Sequence, residues 1–304
     1  MLYLVKLTAN ETAKRFVFHR EITGIPMSEI AEKVRQEIIT AIKNDRLVLP
    51  TLPEVALKVR EVADDPDASM DKLTTVIGGD AALSARIVRV ANSPLLRASR
   101  PIEDLKAAVM RLGIAYTSNI ATGLAMEQMF QATSDLVDMR MRDVWSRSSE
   151  VAGICHVLCK HYTKLRPDQA TLAGLVHKIG VLPILTYAED NPALLSNSLI
   201  LDKVIEELHA PLGDLILKAW GFPEELAHIP SQHVDFKRKI PKADYADIVT
   251  VAMLQSYMGT DNTMSQIDYQ QVTAFERLGL DADMQYAESE DLSDEMEAAM
   301  LLLS

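Results

Sequence analysis

The chain has 304 residues, 48% of them hydrophobic and 24% charged, and 31 Lys and Arg stand against 43 Asp and Glu for a net charge of −12. That length and balance suit one large or two modest globular domains with real cores, and the acidity argues against a general nucleic-acid coat or a binder of anionic membranes. The two cysteines, Cys155 and Cys159, exclude a disulfide framework and fit a reducing compartment.

The N-terminal run Met1 to Leu7 lacks the basic start and small-residue cleavage site of a secretory signal. No 18-residue window reads as apolar and charge-poor enough to span a bilayer. A cytoplasmic protein is expected, with no membrane partner.

Few aromatics and little Gly or Pro point to an all-α, multi-helical fold. In chain order, residues 1–25 come first as an extension, where Leu2, Leu4 and Leu7, then Phe16 and Phe18, alternate with polar residues. A short β-hairpin turning at Thr8 to Glu11 is expected there. The body runs over 26–260. Residues 26–43 place Ile30, Val34, Ile38 and Ile42 on one apolar stripe. A second helix starts at Leu52-Pro53, where proline loses no hydrogen bond, and Asp64 to Asp67 ends it. Ser69 and Asp80 are placed to cap the next two helices, the second stopping at Asn92-Ser93-Pro94. Helices follow at 102–111, 114–131, 134–161, 168–184, 199–219 and 243–258. Two packed helical subdomains are expected, 26–132 and 134–260. The last segment, 261–304, turns acidic: from Asp281 to Glu297 there are eight acids and no Lys or Arg, with Leu292, Met296, Met300 and Leu303 at helical spacing. An acidic amphipathic helix is expected there, and a docking segment for a basic partner is the sharper alternative.

Three constellations invite a function. Helices at 70–77 and 81–92 about Gly78-Gly79 resemble a helix-turn-helix, and residues 84–111 carry a net +4. Arg86 and Arg89 share a face of the second helix, but two arginines make a thin reading head, so nucleic acid is an unfavoured partner. Cys155, His156, Cys159 and His161 look like metal ligands, yet on one helix only the cysteines share a face. Burial of the two thiols as small hydrophobes is the better expectation.

The third constellation is a set of landmarks in order: Leu49-Pro50-Thr51-Leu52-Pro53, Asp80-Ala81-Ala82-Leu83, Val90-Ala91-Asn92-Ser93-Pro94 and Ala108 to Gly113. They continue with Leu172 to Gly180, His209 to Leu217, Ala219-Trp220-Gly221-Phe222-Pro223 and His233. Together they resemble the HDOD family, bacterial signalling proteins related to HD phosphohydrolases and HD-GYP phosphodiesterases. The resemblance covers roughly residues 40–260, and Asp80-Ala81 replaces the family's usual Asp-Pro.

An HD hydrolase holds a divalent ion with a His, a His-Asp doublet and a distant Asp. The resemblance places the first at Arg147, two residues after a helix-opening Trp145, the doublet at His177-Lys178 and the distant Asp at Met253. Protonated lysine and arginine have no lone pair to give. No metal, no cofactor and no catalytic residue is therefore expected. His209 and His233 match extra histidines of HD-GYP-like sites. In one reading the histidines simply hydrogen-bond within the core. In the other, Arg147, His177, Lys178, His209 and His233 form a cationic pocket for a nucleotide or another anion. The resemblance thus implies a non-catalytic signal-transduction module acting through protein partners or a small ligand. A phosphohydrolase with unusual ligands and a DNA-binding regulator are the alternatives.

Overall fold

The computed structural model describes residues 27–44, 46–96 and 100–281, and near the C-terminus Asp294, Glu295, Glu297, Ala298, Ala299 and Leu303. The hairpin expected in 1–25, Arg97 and most of the acidic segment lie outside the described residues.

Every regular element among the described residues is helical. The first, α1 (Met27–Lys43), buries Ala31, Val34, Ile38 and Ala41, a stripe rotated slightly from the one its isoleucines suggested. Next come α2 (Glu54–Asp64), with Pro53 ahead of its first turn, and α3 (Met70–Gly78). Ser69 caps α3 by accepting Lys72 N at 3.1 Å, and Asp80 caps α4 (Ala81–Ala91) by accepting Leu83 N at 3.0 Å. Both caps satisfy amides that the helix itself leaves orphaned.

Asn92 then clasps the chain. Its amide donates to the carbonyls of Val88 at 3.0 Å and Ile102 at 2.7 Å, while its oxygen accepts Ile102 N at 2.8 Å. This fixes the approach to α5 (Leu105–Leu112), which Gly113 joins to α6 (Ile114–Ala125) through a positive φ of 79°. The helix expected over 114–131 stops at Ala125 and finishes as a 3₁₀ turn, Met126–Met129.

The second half is built on α7 (Asp135–Tyr162) and α8 (Pro167–Val176), with α9 (Val181–Glu189), α10 (Pro192–Leu195) and α11 (Ser198–Ala219) behind them. Two short helices, α12 (Glu224–Ala227) and α13 (Ile229–Gln232), lead to α14 (Tyr245–Ser256) and α15 (Thr273–Leu278). Helix α7 packs against α8 and α14, while α6 lies across both α2 and α8 and α1 rests on α11. The halves therefore share one core.

One expected helix, 168–184, is broken in two at His177 to Gly180. Gly180 allows a close approach there: a Cβ on it would overlap the His209 carbonyl of α11. The interruption carries His177. The same region corrects the bilayer expectation. Pro167–Glu189 is apolar enough by length and composition to cross a membrane, but 83% of that window is buried in the bundle.

Candidate functional site

Three histidines meet in the second half. His177 follows α8, His209 lies inside α11 and His233 follows α13. The His177 and His233 rings are 5.0 Å apart at 89°, and those of His209 and His233 are 5.9 Å apart at 68°. All three are buried.

Each ring is oriented in the same way. Nδ1 lies against a carbonyl one turn back: Gly174 for His177 at 2.6 Å, Ile205 for His209 at 2.8 Å and Ile229 for His233 at 2.9 Å. A carbonyl only accepts, so each Nδ1 carries the proton and each neutral ring keeps its lone pair on Nε2. The Nε2 atoms of His177 and His233 have no hydrogen-bond partner among the described residues. Burial, then the nearby Lys178, pulls His177 down to about 3 and His209 to about 4. Burial and the other two rings push His233 well below the usual imidazole range.

Lys178 and Arg147 converge on Tyr257, just beyond α14. Lys178 Nζ donates to the Tyr257 hydroxyl at 3.1 Å, and the Arg147 guanidinium sits 5.0 Å from the ring centre. Arg147 is not a bare cation: Nη1 donates to Glu150 at 2.8 Å and to the Ser256 carbonyl at 2.7 Å. The five expected residues thus fall into two linked groups, three rings and a cation pair on Tyr257. Sequence reasoning missed both Glu150 and Tyr257. The i,i+3 spacing of Arg147 and Glu150 was a readable signal; nothing local pointed to Tyr257.

A hydrolytic Mg²⁺ or Mn²⁺ centre needs oxygen ligands. Glu150 is held by Arg147. Met253 is buried in α14, and the buried carboxylate of that helix, Asp247, is bound by Arg277 at 2.7 Å and Arg238 at 3.2 Å. No group of three His, Cys, Asp or Glu side chains placed to hold a metal exists among the described residues. Two lone pairs on Nε2 beside a lysine do not fit such an ion. Trp145, expected to open a helix, lies inside α7.

The other constellations separate. Cys155 and Cys159 are both buried free thiols. His156 is buried against Thr171 at 3.2 Å and pulled down to about 4 by burial, while His161 pairs with Glu295 at 2.6 Å. Arg86 pairs with Glu127 and donates to the Leu303 carbonyl at 3.1 Å, so it faces the protein's own atoms.

The HDOD domain signature matches residues 49–236, more than half of the chain. The chain belongs to the HDOD domain family. Among solved structures, this HDOD protein is 32% identical to a protein from Shewanella amazonensis SB2B named provisionally as a metal-dependent phosphohydrolase. That match covers 90% of this chain and 99% of the other, with a TM-score of 0.79. An HDOD domain protein with unknown function from Geobacter sulfurreducens is 21% identical over 91% of this chain and 99% of its own, with a TM-score of 0.61. A protein from Marinobacter aquaeolei VT8, named provisionally for signal transduction, is 19% identical with a TM-score of 0.62, covering 92% of this chain and 66% of that one. These two share the fold. An uncharacterized protein of Treponema pallidum (strain Nichols) is 21% identical over 80% of this chain, which spans only 48% of that relative's length.

Proposed function

We propose that this HDOD protein is a non-catalytic signal-transduction module of the cytoplasm, acting through protein partners or a small phosphate-bearing ligand at the histidine and Tyr257 groups. The observation that carries it is the placement of Lys178 beside His177, with Arg147 on the same tyrosine. Cations repel a divalent metal where an HD hydrolase gathers carboxylates, and they attract phosphate. The pairing of Arg86 with Glu127 weighs against a DNA-reading role.

A metal-dependent hydrolase is the second reading, favoured by the unpartnered Nε2 atoms of His177 and His233. One experiment separates the two: metal content of the purified protein, with hydrolysis of bis(p-nitrophenyl) phosphate after Mn²⁺ is added. The signalling module retains no stoichiometric metal and hydrolyses nothing above background. Turnover that disappears in His177→Ala would replace it with the hydrolase. Calorimetric titration of cyclic dinucleotides, repeated on Arg147→Ala/Lys178→Ala, tests the ligand at this site; binding unchanged in the double variant would move it elsewhere.

A further inference from the structure

A cleft of about 460 Å³ lies where α2 and α6 of the first half meet α8 and the loop around Phe222 of the second, a volume in the small-molecule range, and it shares no lining residue with the histidine cluster. Its apolar lining comes from Ile114, Leu172, Phe222 and Leu226.

Charge comes from Arg60. Its guanidinium lies 4.5 Å from the Phe222 ring centre, and two of its N–H groups donate to the carbonyls of Trp220 and Gly221, each at 2.7 Å. These bonds fix the group in place and leave its other N–H donors unspent. Arg60 makes no ion pair among the described residues; Asp64, on the same wall, acts on it only from a distance. Arg166, by contrast, is already neutralised by Asp168 at 2.5 Å.

The polar side has hydrogen-bonding capacity to spare. Asn119 donates its amide to Asp168 at 2.7 Å, which leaves its carbonyl oxygen. Gln169 accepts the Tyr245 hydroxyl at 2.5 Å, which leaves its NH₂.

We propose that this cleft binds a small organic anion carrying a flat hydrogen-bonding ring, the chemistry of a nucleoside monophosphate. The phosphate sits on Arg60. The ring lies against the apolar lining, and the Asn119 oxygen and the Gln169 amide offer its edge an acceptor and a donor. Because α2 and α6 form one wall and α8 the other, the ligand bridges the two halves of the bundle.

The test is calorimetric titration of the full chain with 5′-AMP and 5′-GMP, alongside adenosine, guanosine and inorganic phosphate. At least one monophosphate binds tenfold or more tightly than its nucleoside or phosphate alone. Ala115→Trp, which adds bulk at an exposed position of the rim, weakens it at least thirtyfold with an unchanged circular-dichroism melt. Arg147→Ala/Lys178→Ala leaves it unaltered. Absence of binding by both monophosphates, equal binding of inorganic phosphate, or binding that survives Ala115→Trp overturns the proposal. Loss only in the Arg147/Lys178 variant also overturns it, and assigns the ligand to the histidine cluster.

Discussion

At His177, His209 and His233 the Nδ1–H is spent on a backbone carbonyl, so a further proton can enter only at Nε2. There it places an unsolvated charge beside Lys178 and the neighbouring rings. In the unfolded chain the same rings take up protons near the ordinary value of about 6.5. Below that value the unfolded state binds more protons than the folded one, so stability is intact above pH 6.5 and falls toward pH 4. The slope is at most about 1.4 kcal/mol per pH unit for each ring. His156, pulled down in the same way, adds to the slope; urea denaturation at pH 7, 6 and 5 reads it directly, and His233→Asn, which keeps a donor for Ile229, flattens it by about a quarter; a slope identical to wild type would remove His233 from the acid response. Asp247 presents the opposite case, a buried charge held by two guanidinium groups. Asp247→Asn leaves Arg238 and Arg277 short of a counter-charge at a cost of about 3–5 kcal/mol, measured as a lower urea midpoint at pH 7. A loss below about 1 kcal/mol would show that Asp244 alone suffices for Arg238.

Among elements, those with local punctuation were legible in the sequence. Ser69 and Asp80 each accept an amide of the first turn that follows, and apolar spacing placed most of the core. The close approach at Gly180 was not legible, because its partner lies about thirty residues away in α11, where the His209 carbonyl occupies the space of a side chain. The site divides in the same way. His177, Lys178, His209, His233 and Arg147 stood out through the family resemblance, whereas Tyr257 and the Arg60 cleft arise only when distant helices pack. Gly180→Ala tests the close approach: it must separate α9 from α11, so a loss of about 1–3 kcal/mol is expected, with the His209 ring resonances shifted. Full stability in that variant would mean that α9 and α11 can part without cost. Asn92→Ala tests the clasp. Three hydrogen bonds to Val88 and Ile102 disappear, and the half-buried Ile102 amide and carbonyl lose their partner, at about 1–3 kcal/mol on thermal denaturation.

For the whole molecule, the net charge of −12 is unevenly spread, with eight acids and no base between Asp281 and Glu297. The described part of that end does not stand off from the body. Glu295 accepts Lys160 and His161 at the end of α7, the Leu303 carbonyl accepts Arg86 of α4, and Ala299 and Leu303 are buried. The basic surface that an acidic docking segment calls for is thus found on the chain itself. Burial raises the Glu295 carboxyl, but its bonds to Lys160 and His161 outweigh that and hold it below the usual range. The attachment is therefore intact above pH 4.5 and lost as pH falls further. Lys160 is half exposed, so the pair contributes only about 1 kcal/mol. Lys160→Ala/His161→Ala should then speed backbone hydrogen exchange around Ala299 about fivefold, and raising salt to 0.5 M should narrow the difference between wild type and variant. Exchange unchanged by both treatments would mean that Leu303 and Ala299 hold the segment through apolar burial alone, with the acids serving only to keep it soluble.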